Sequence, residues 1–190
     1  MGLDDELADP AALGFGGLAL TTFMFNVVNA GITPAESLGV AAAMGLFYGG
    51  LAQFAAGMWD IRRGGILGGT SFSSYGAFWM GFAAMLLLQA KGALPVVPAT
   101  GMAVLFIAWG IFSAYTTVGA VRASKAETMV FATLTVFFFL LAGGEFNPAV
   151  RRIAGYEGIL SALTAWYASA GTLINKVHGK ELLPMGAAEG

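Results

Sequence analysis

Apolar residues run along this chain in long blocks separated by short charged interruptions. Stretches free of Asp, Glu, Lys and Arg cover residues 10–35, 37–59, 64–90, 92–121, 128–144 and 158–175, six segments of 17 to 30 residues. A hydrocarbon layer about 30 Å thick is crossed by roughly 20 apolar residues of helix. Each segment therefore predicts one crossing, with the fifth and sixth near the lower limit. Connections as short as Ile32 to Ser37 and Val121 to Glu127 imply one compact antiparallel bundle. The expected fold class is all-α: an integral membrane bundle of six transmembrane helices. It forms a single domain over residues 1–190, with short tails at about 1–9 and 177–190. The second tail, rich in Gly, Ala and Glu, reads as a solvated end.

Composition narrows the picture further. The chain is 57% hydrophobic and 11% charged, against about 25% charged in soluble domains, which nearly excludes a water-soluble fold. A net charge of −2 with dispersed basic residues leaves no footprint for nucleic acid. There is no cysteine, so disulfides and thiolate chemistry are absent. The opening MGLDDELADP lacks the basic region of a cleaved signal peptide, so the first segment is expected to remain as a helix. Six spans put Arg62, Arg63, Arg122, Lys125, Lys176 and Lys180 on one side and Lys91, Arg151 and Arg152 on the other. Basic residues are retained in the cytoplasm. The expected localisation is thus the cell (inner) membrane, multi-pass, with both termini cytoplasmic.

Intramembrane enzymes show His, Asp, Glu or Cys within their spans. Here His178 lies in the tail, and Asp60, Glu127, Glu145 and Glu157 sit at segment ends. No enzyme, metal site or cofactor is expected. The polarity inside the spans is uncharged: Thr21, Thr22, Asn26 and Asn29, then Gln53, then Thr70, Ser71, Ser73, Ser74 and Tyr75. At 100° per residue, Leu18, Thr22, Phe25, Asn26 and Asn29 share one stripe. Such groups either tie helices together by hydrogen bonds or line a path that replaces some of a polar solute's hydration. Glycines such as Gly45 and Gly49 read first as close helix contacts, with a narrow conduit as the alternative. The single Asn147-Pro148-Ala149 reads as a turn initiator.

Ala8-Asp9-Pro10-Ala11-Ala12-Leu13-Gly14-Phe15, followed by Thr21-Thr22 and residues 26–31, resembles the N-terminal signature of the acetate uptake transporter family. That family includes bacterial acetate and succinate permeases. Residues 47–53, and then Thr70-Ser71-Phe72-Ser73-Ser74-Tyr75-Gly76-Ala77-Phe78-Trp79, resemble its second and third helices. The resemblance covers essentially the whole chain. It implies a homohexamer of six-helix protomers, each with its own pathway narrowed by Phe, Leu and Tyr from the first, fifth and third helices. Carried over by position, that constriction is Leu18, Leu134 and Tyr75. Leu18 replaces the usual Phe, and Asp9 and Ala12 replace Asn and Pro, which bears on pore width and substrate preference.

Depth offers an independent check. Leu18 lies 9 residues past Asp9, Tyr75 12 past Arg63, and Leu134 7 past Glu127, giving depths of roughly 10 to 18 Å, near the midplane. The resulting expectation is a channel or transporter for acetate and other small monocarboxylates, with succinate included by the resemblance. Thr22, Asn26, Asn29, Gln53 and Ser71 would offer hydrogen bonds along the substrate path, and Tyr75 a hydroxyl within the ring. With no buried carboxylate to relay protons, the substrate would carry its own. Glu127, two turns from Leu134, is either a proton acceptor at the cytoplasmic mouth or a carboxylate stabilised at a helix N-terminus. The rival readings are a facilitator for water, urea or ammonia, and a non-transporting structural membrane protein.

Overall fold

The computed structural model describes residues 7–186, so the outermost parts of both tails lie outside the described residues. Six helices run in sequence: α1 (Ala11–Asn29), α2 (Ala35–Arg62), α3 (Ile66–Ala90), α4 (Ala99–Ala120), α5 (Lys125–Gly144) and α6 (Pro148–His178). The first five are long and apolar enough to cross a membrane. Consecutive helices pack as neighbours except α3 and α4, and α1 occupies the middle, packed along α6, against α2 and on part of α3. The α5 helix lies between α4 and α6. Contact between α3 and α4 is sparse, and a crevice of about 470 Å³ opens between them, lined by Phe78, Phe82 and Trp109 among others.

Local sequence sets the helix ends. Gly31, Gly64 and Gly92 adopt φ of 75°, 83° and 69°, a left-handed conformation that glycine takes without a steric penalty. Each closes a helix in the same way. At Gly31 the amides of Gly31 and Ile32 donate to the carbonyls of Val28 and Val27, both at 2.9 Å, satisfying carbonyls that the helix leaves open. Asn147 is the N-cap of α6: its Oδ1 accepts from the Ala149 amide at 2.9 Å, and Pro148 fills the first helical position. The Asn-Pro dipeptide thus starts a helix rather than a turn within a connection.

Two expectations need correction. Arg151 and Arg152 are helical rather than in the connection between the fifth and sixth segments, and Glu157 lies within a helix rather than at its end, because α6 begins at Pro148 and runs for 31 residues. At 1.5 Å per residue it is about 46 Å long, so its charged first turns have room beyond the apolar stretch. The C-terminal segment is not a free solvated end either. After the αL cap at Gly179 it folds back along α6. Asn175 Oδ1 accepts from the amides of Leu182 and Leu183 at 2.8 and 2.9 Å, and its Nδ2 donates to the Leu183 carbonyl at 2.8 Å. Tyr167 donates to the Pro184 carbonyl at 2.7 Å. The carbonyls of Met185 and Gly186 then accept from Ala126 and Lys125, the open amides at the start of α5.

The α2 helix opens with a 3-10 turn at Ala35–Ser37, and residues Phe47–Ala52 form a π-helical stretch, a feature frequent at functional sites. This stretch lies where glycines bring backbones into contact. A Cβ on Gly17 would stand 2.6 Å from the Tyr48 carbonyl oxygen, and one on Gly76 2.6 Å from the Phe54 amide. Gly45 faces Ala83 and Trp79 of α3 whereas Gly49 faces Thr21 of α1. These glycines do close-packing work.

Candidate functional site

Aromatic and aliphatic side chains from four helices pack together inside the bundle. Leu18, Tyr75 and Leu134 are 2%, 1% and 1% exposed and belong to one apolar cluster. On α5, Phe131, Leu134 and Phe138 follow helical spacing down one face. The Tyr75 ring lies parallel to both phenylalanines, 6.3 Å from Phe131 and 6.4 Å from Phe138, which brackets the Leu134 level. The Tyr75 hydroxyl does not stand free. It lies 2.8 Å from Ser113 Oγ, whose own hydrogen goes to the Trp109 carbonyl at 2.8 Å, so Tyr75 donates to Ser113. That engagement orients the ring and leaves the phenolic oxygen to accept. Ser113, Trp109, Phe131 and Phe138 were not singled out by sequence reasoning. The i, i+3, i+7 repeat on α5 was the available signal for the phenylalanines; nothing local marked Ser113.

The polar residues divide into two groups. Asn26 is fully buried and committed: its Nδ2 donates to the Thr22 carbonyl at 2.8 Å, and its Oδ1 accepts from Asn29 at 3.2 Å. It also packs on Gly158 of α6, where a Cβ would overlap its amide. Asn29 is partly buried at the far end of α1. Ser71 is buried and reaches the Gly68 carbonyl at 3.5 Å. By contrast, Thr21, Thr22, Gln53 and Ser161 are at most 1% exposed, and their side-chain oxygens and the Gln53 Nε2 find no hydrogen-bond partner among the described residues. Burying an amide or hydroxyl unpaired costs about 1–3 kcal/mol by mutational measures. Groups that carry this cost are candidates for pairing with a solute.

Each end of the bundle has its own charged arrangement. At the end holding the termini, Arg63 bridges Asp9 at 2.9 Å and Asp60 at 3.7 Å. Glu127 stands close by at the third position of α5. Its amide donates to the N-cap Ser124 Oγ at 3.1 Å, and the Ser124 hydroxyl lies 3.2 Å from its Oε1. That pairing satisfies an open helix amide and places a carboxylate where the helix dipole favours it. At the opposite end is a cavity of about 210 Å³. Asn29, Gln89, Glu145 and Arg151 contribute its polar lining, and Phe25, Phe82 and Phe106 lie deeper. Arg151 Nη2 holds Glu145 Oε1 at 2.7 Å. From this cavity a series of ring contacts, Phe82 to Phe106 at 6.0 Å, Phe106 to Phe138 at 6.5 Å and Phe138 to Tyr75 at 6.4 Å, reaches the Tyr75 ring.

The chain is similar to known proteins in sequence and in structure. The succinate-acetate/proton symporter SatP of Escherichia coli (strain K12) is 36% identical over 183 residues, 95% of this chain and 96% of that protein. The ammonia transport outward protein 2 of Saccharomyces cerevisiae is 31% identical over 169 residues, 85% of this chain and 60% of that protein. The solved structure of the bacterial acetate channel SatP superposes with a TM-score of 0.91 at 36% identity, covering 95% of this chain and 99% of that one. Residues 3–180 match the GPR1/FUN34/yaaH family, and with relatives of this likeness over nearly its full length the chain belongs to that family.

Proposed function

We propose that this chain is a membrane channel or transporter for acetate and other small monocarboxylates, succinate among its wider substrates. Each molecule would move with a proton through the constriction of Leu18, Tyr75 and Leu134. The observation that carries this reading is the apolar waist, buried and uncharged, with the partnerless polar groups of Thr22 and Gln53 inside the same bundle. A carboxylate entering such a waist as an anion would meet a desolvation cost of many kcal/mol, whereas the neutral acid costs a few at most. The ring therefore sorts by charge and size. The symporter and channel names of the relatives favour the same substrate.

The rest of the proposal follows from this. The α6 helix makes the sixth crossing through its uncharged residues 158–175, both termini face the cytoplasm of the inner membrane, and six copies assemble as a homohexamer. Thr22, Asn26, Asn29, Gln53 and Ser71 flank the path, with Thr22 and Gln53 the better donors because the amide of Asn26 is already engaged. The pairing of Glu127 with Ser124 favours the stabilising role at the helix start over proton acceptance.

In proteoliposomes, acetate flux should rise as external pH falls toward the pKa of the acid, because the neutral form grows. Flux independent of pH would contradict carriage of the proton by the substrate. The ammonia-transport name of the yeast relative favours a second reading, a facilitator for small neutral solutes. Parallel uptake of labelled acetate, urea and methylammonium separates the two.

A further inference from the structure

We propose that the Glu145–Arg151 pair at the rim of the 210 Å³ cavity is a docking site for the head group of a short carboxylic acid in its protonated form. Its place on a route depends on the transport reading above, but binding at the pair is separable from passage through the waist. The pair sits where α5 turns into α6. Glu145 is only 10% exposed in its side chain, and Arg151 is further fixed by Nε donating to the Gly144 carbonyl at 3.3 Å. These contacts use one carboxylate oxygen and two guanidinium nitrogens. Glu145 Oε2 and Arg151 Nη1 are left without a protein partner among the described residues.

A carboxylic acid presents an acceptor and a donor side by side. Its carbonyl oxygen takes an N–H from Arg151, and its O–H donates to Glu145, a charge-assisted bond. A carboxylate anion has no proton to give and meets the negative charge of Glu145, so a pair already neutral gains little from it. The cavity fits the remainder of such a ligand. Its volume is several times the ~30 Å³ share of one water, and Phe25 and Phe82, whose rings meet edge to face at 5.3 Å, offer an apolar surface to a methyl group. The site thus selects the same protonation state that the waist admits. Loading and passage then require no change of charge between them, and the proton stays on the acid throughout.

Saturation-transfer NMR of acetate on the purified full chain at acidic pH, alongside proteoliposome kinetics, tests this. The paired substitution Glu145→Gln with Arg151→Gln should raise the half-saturating acetate concentration at least about tenfold, since both bonds lose their charge assistance, with maximal flux little changed. Arg151→Lys keeps the charge and the turn but loses the fork, and should raise it about threefold. Leu134→Trp should block flux yet keep the NMR signal. Wild-type affinity in both the paired variant and Arg151→Lys overturns the proposal, as does an equal fall in maximal flux without a change in half-saturation. A wild-type protein that binds acetate through this pair but passes none would remove the transport reading and leave the docking site standing.

Discussion

The two ends of the bundle are built from similar residues and arranged in opposite ways. At the end holding the termini, charge is spent on fastening: Asp9, Asp60 and Arg63 join the start of α1 to the end of α2, and the C-terminal segment closes over the start of α5. At the far end, Glu145 and Arg151 belong to one short hairpin and stand at the rim of an open cavity. An ion pair that links helices stabilises their arrangement. One that sits within a single turn leaves neighbouring helices free to part, and space remains above the aromatic rings. The difference leaves one end fastened and the other open around a cavity.

The sharpest way to break this comparison is to close the waist between the ends. Leu134→Trp places a larger ring in a site that is 1% exposed, and acetate flux in proteoliposomes should fall to the level of protein-free vesicles. Unchanged flux would mean that α5 does not line a path, as a purely structural membrane protein requires. Next in size is access. The chain contains no cysteine, so Gln89→Cys and Lys180→Cys each give a single thiol. In intact cells a membrane-impermeant maleimide should label the first at least about tenfold faster than the second, as the positive-inside orientation demands. The reverse order would invert the molecule. Leu18→Phe should slow succinate and lactate several-fold more than acetate, since an aromatic ring there narrows the waist by about one ring's breadth. An equal effect on all three would remove Leu18 as a size filter. Smallest is Arg63→Gln. Its bridges are partly exposed, so unfolding should be eased by less than about 1 kcal/mol, measurable as a small drop in melting temperature.

Five long apolar helices were legible because a bilayer imposes length and apolarity that composition records directly. The burial of Leu18, Tyr75 and Leu134 in one cluster agrees with their calculated common depth; their role as a constriction stays with the proposal. Other features were hidden for physical reasons. The start of α6 was displaced because charged residues were counted as ends of helix, whereas helices continue past the hydrocarbon while a cap such as Asn147 starts them. The π stretch at Phe47–Ala52 depends on backbone contacts with α1 and α3, which no local preference encodes. The Tyr75 to Ser113 bond joins residues 38 positions apart on helices whose backbones hardly approach each other. The polar stripe on α1 was visible as a stripe, but periodicity could not separate Asn26, already engaged, from Thr22, which is not.

The folded-back segment has a consequence for biogenesis. The first amides of α5 are completed by the carbonyls of Met185 and Gly186, which leave the ribosome only after α6 has been made. Until then the helix bearing Phe131, Leu134 and Phe138 lacks its final fastening. A nascent chain halted before Leu182 would therefore carry a full set of apolar helices with an unfinished seam, a species that membrane quality control could tell from the mature protein.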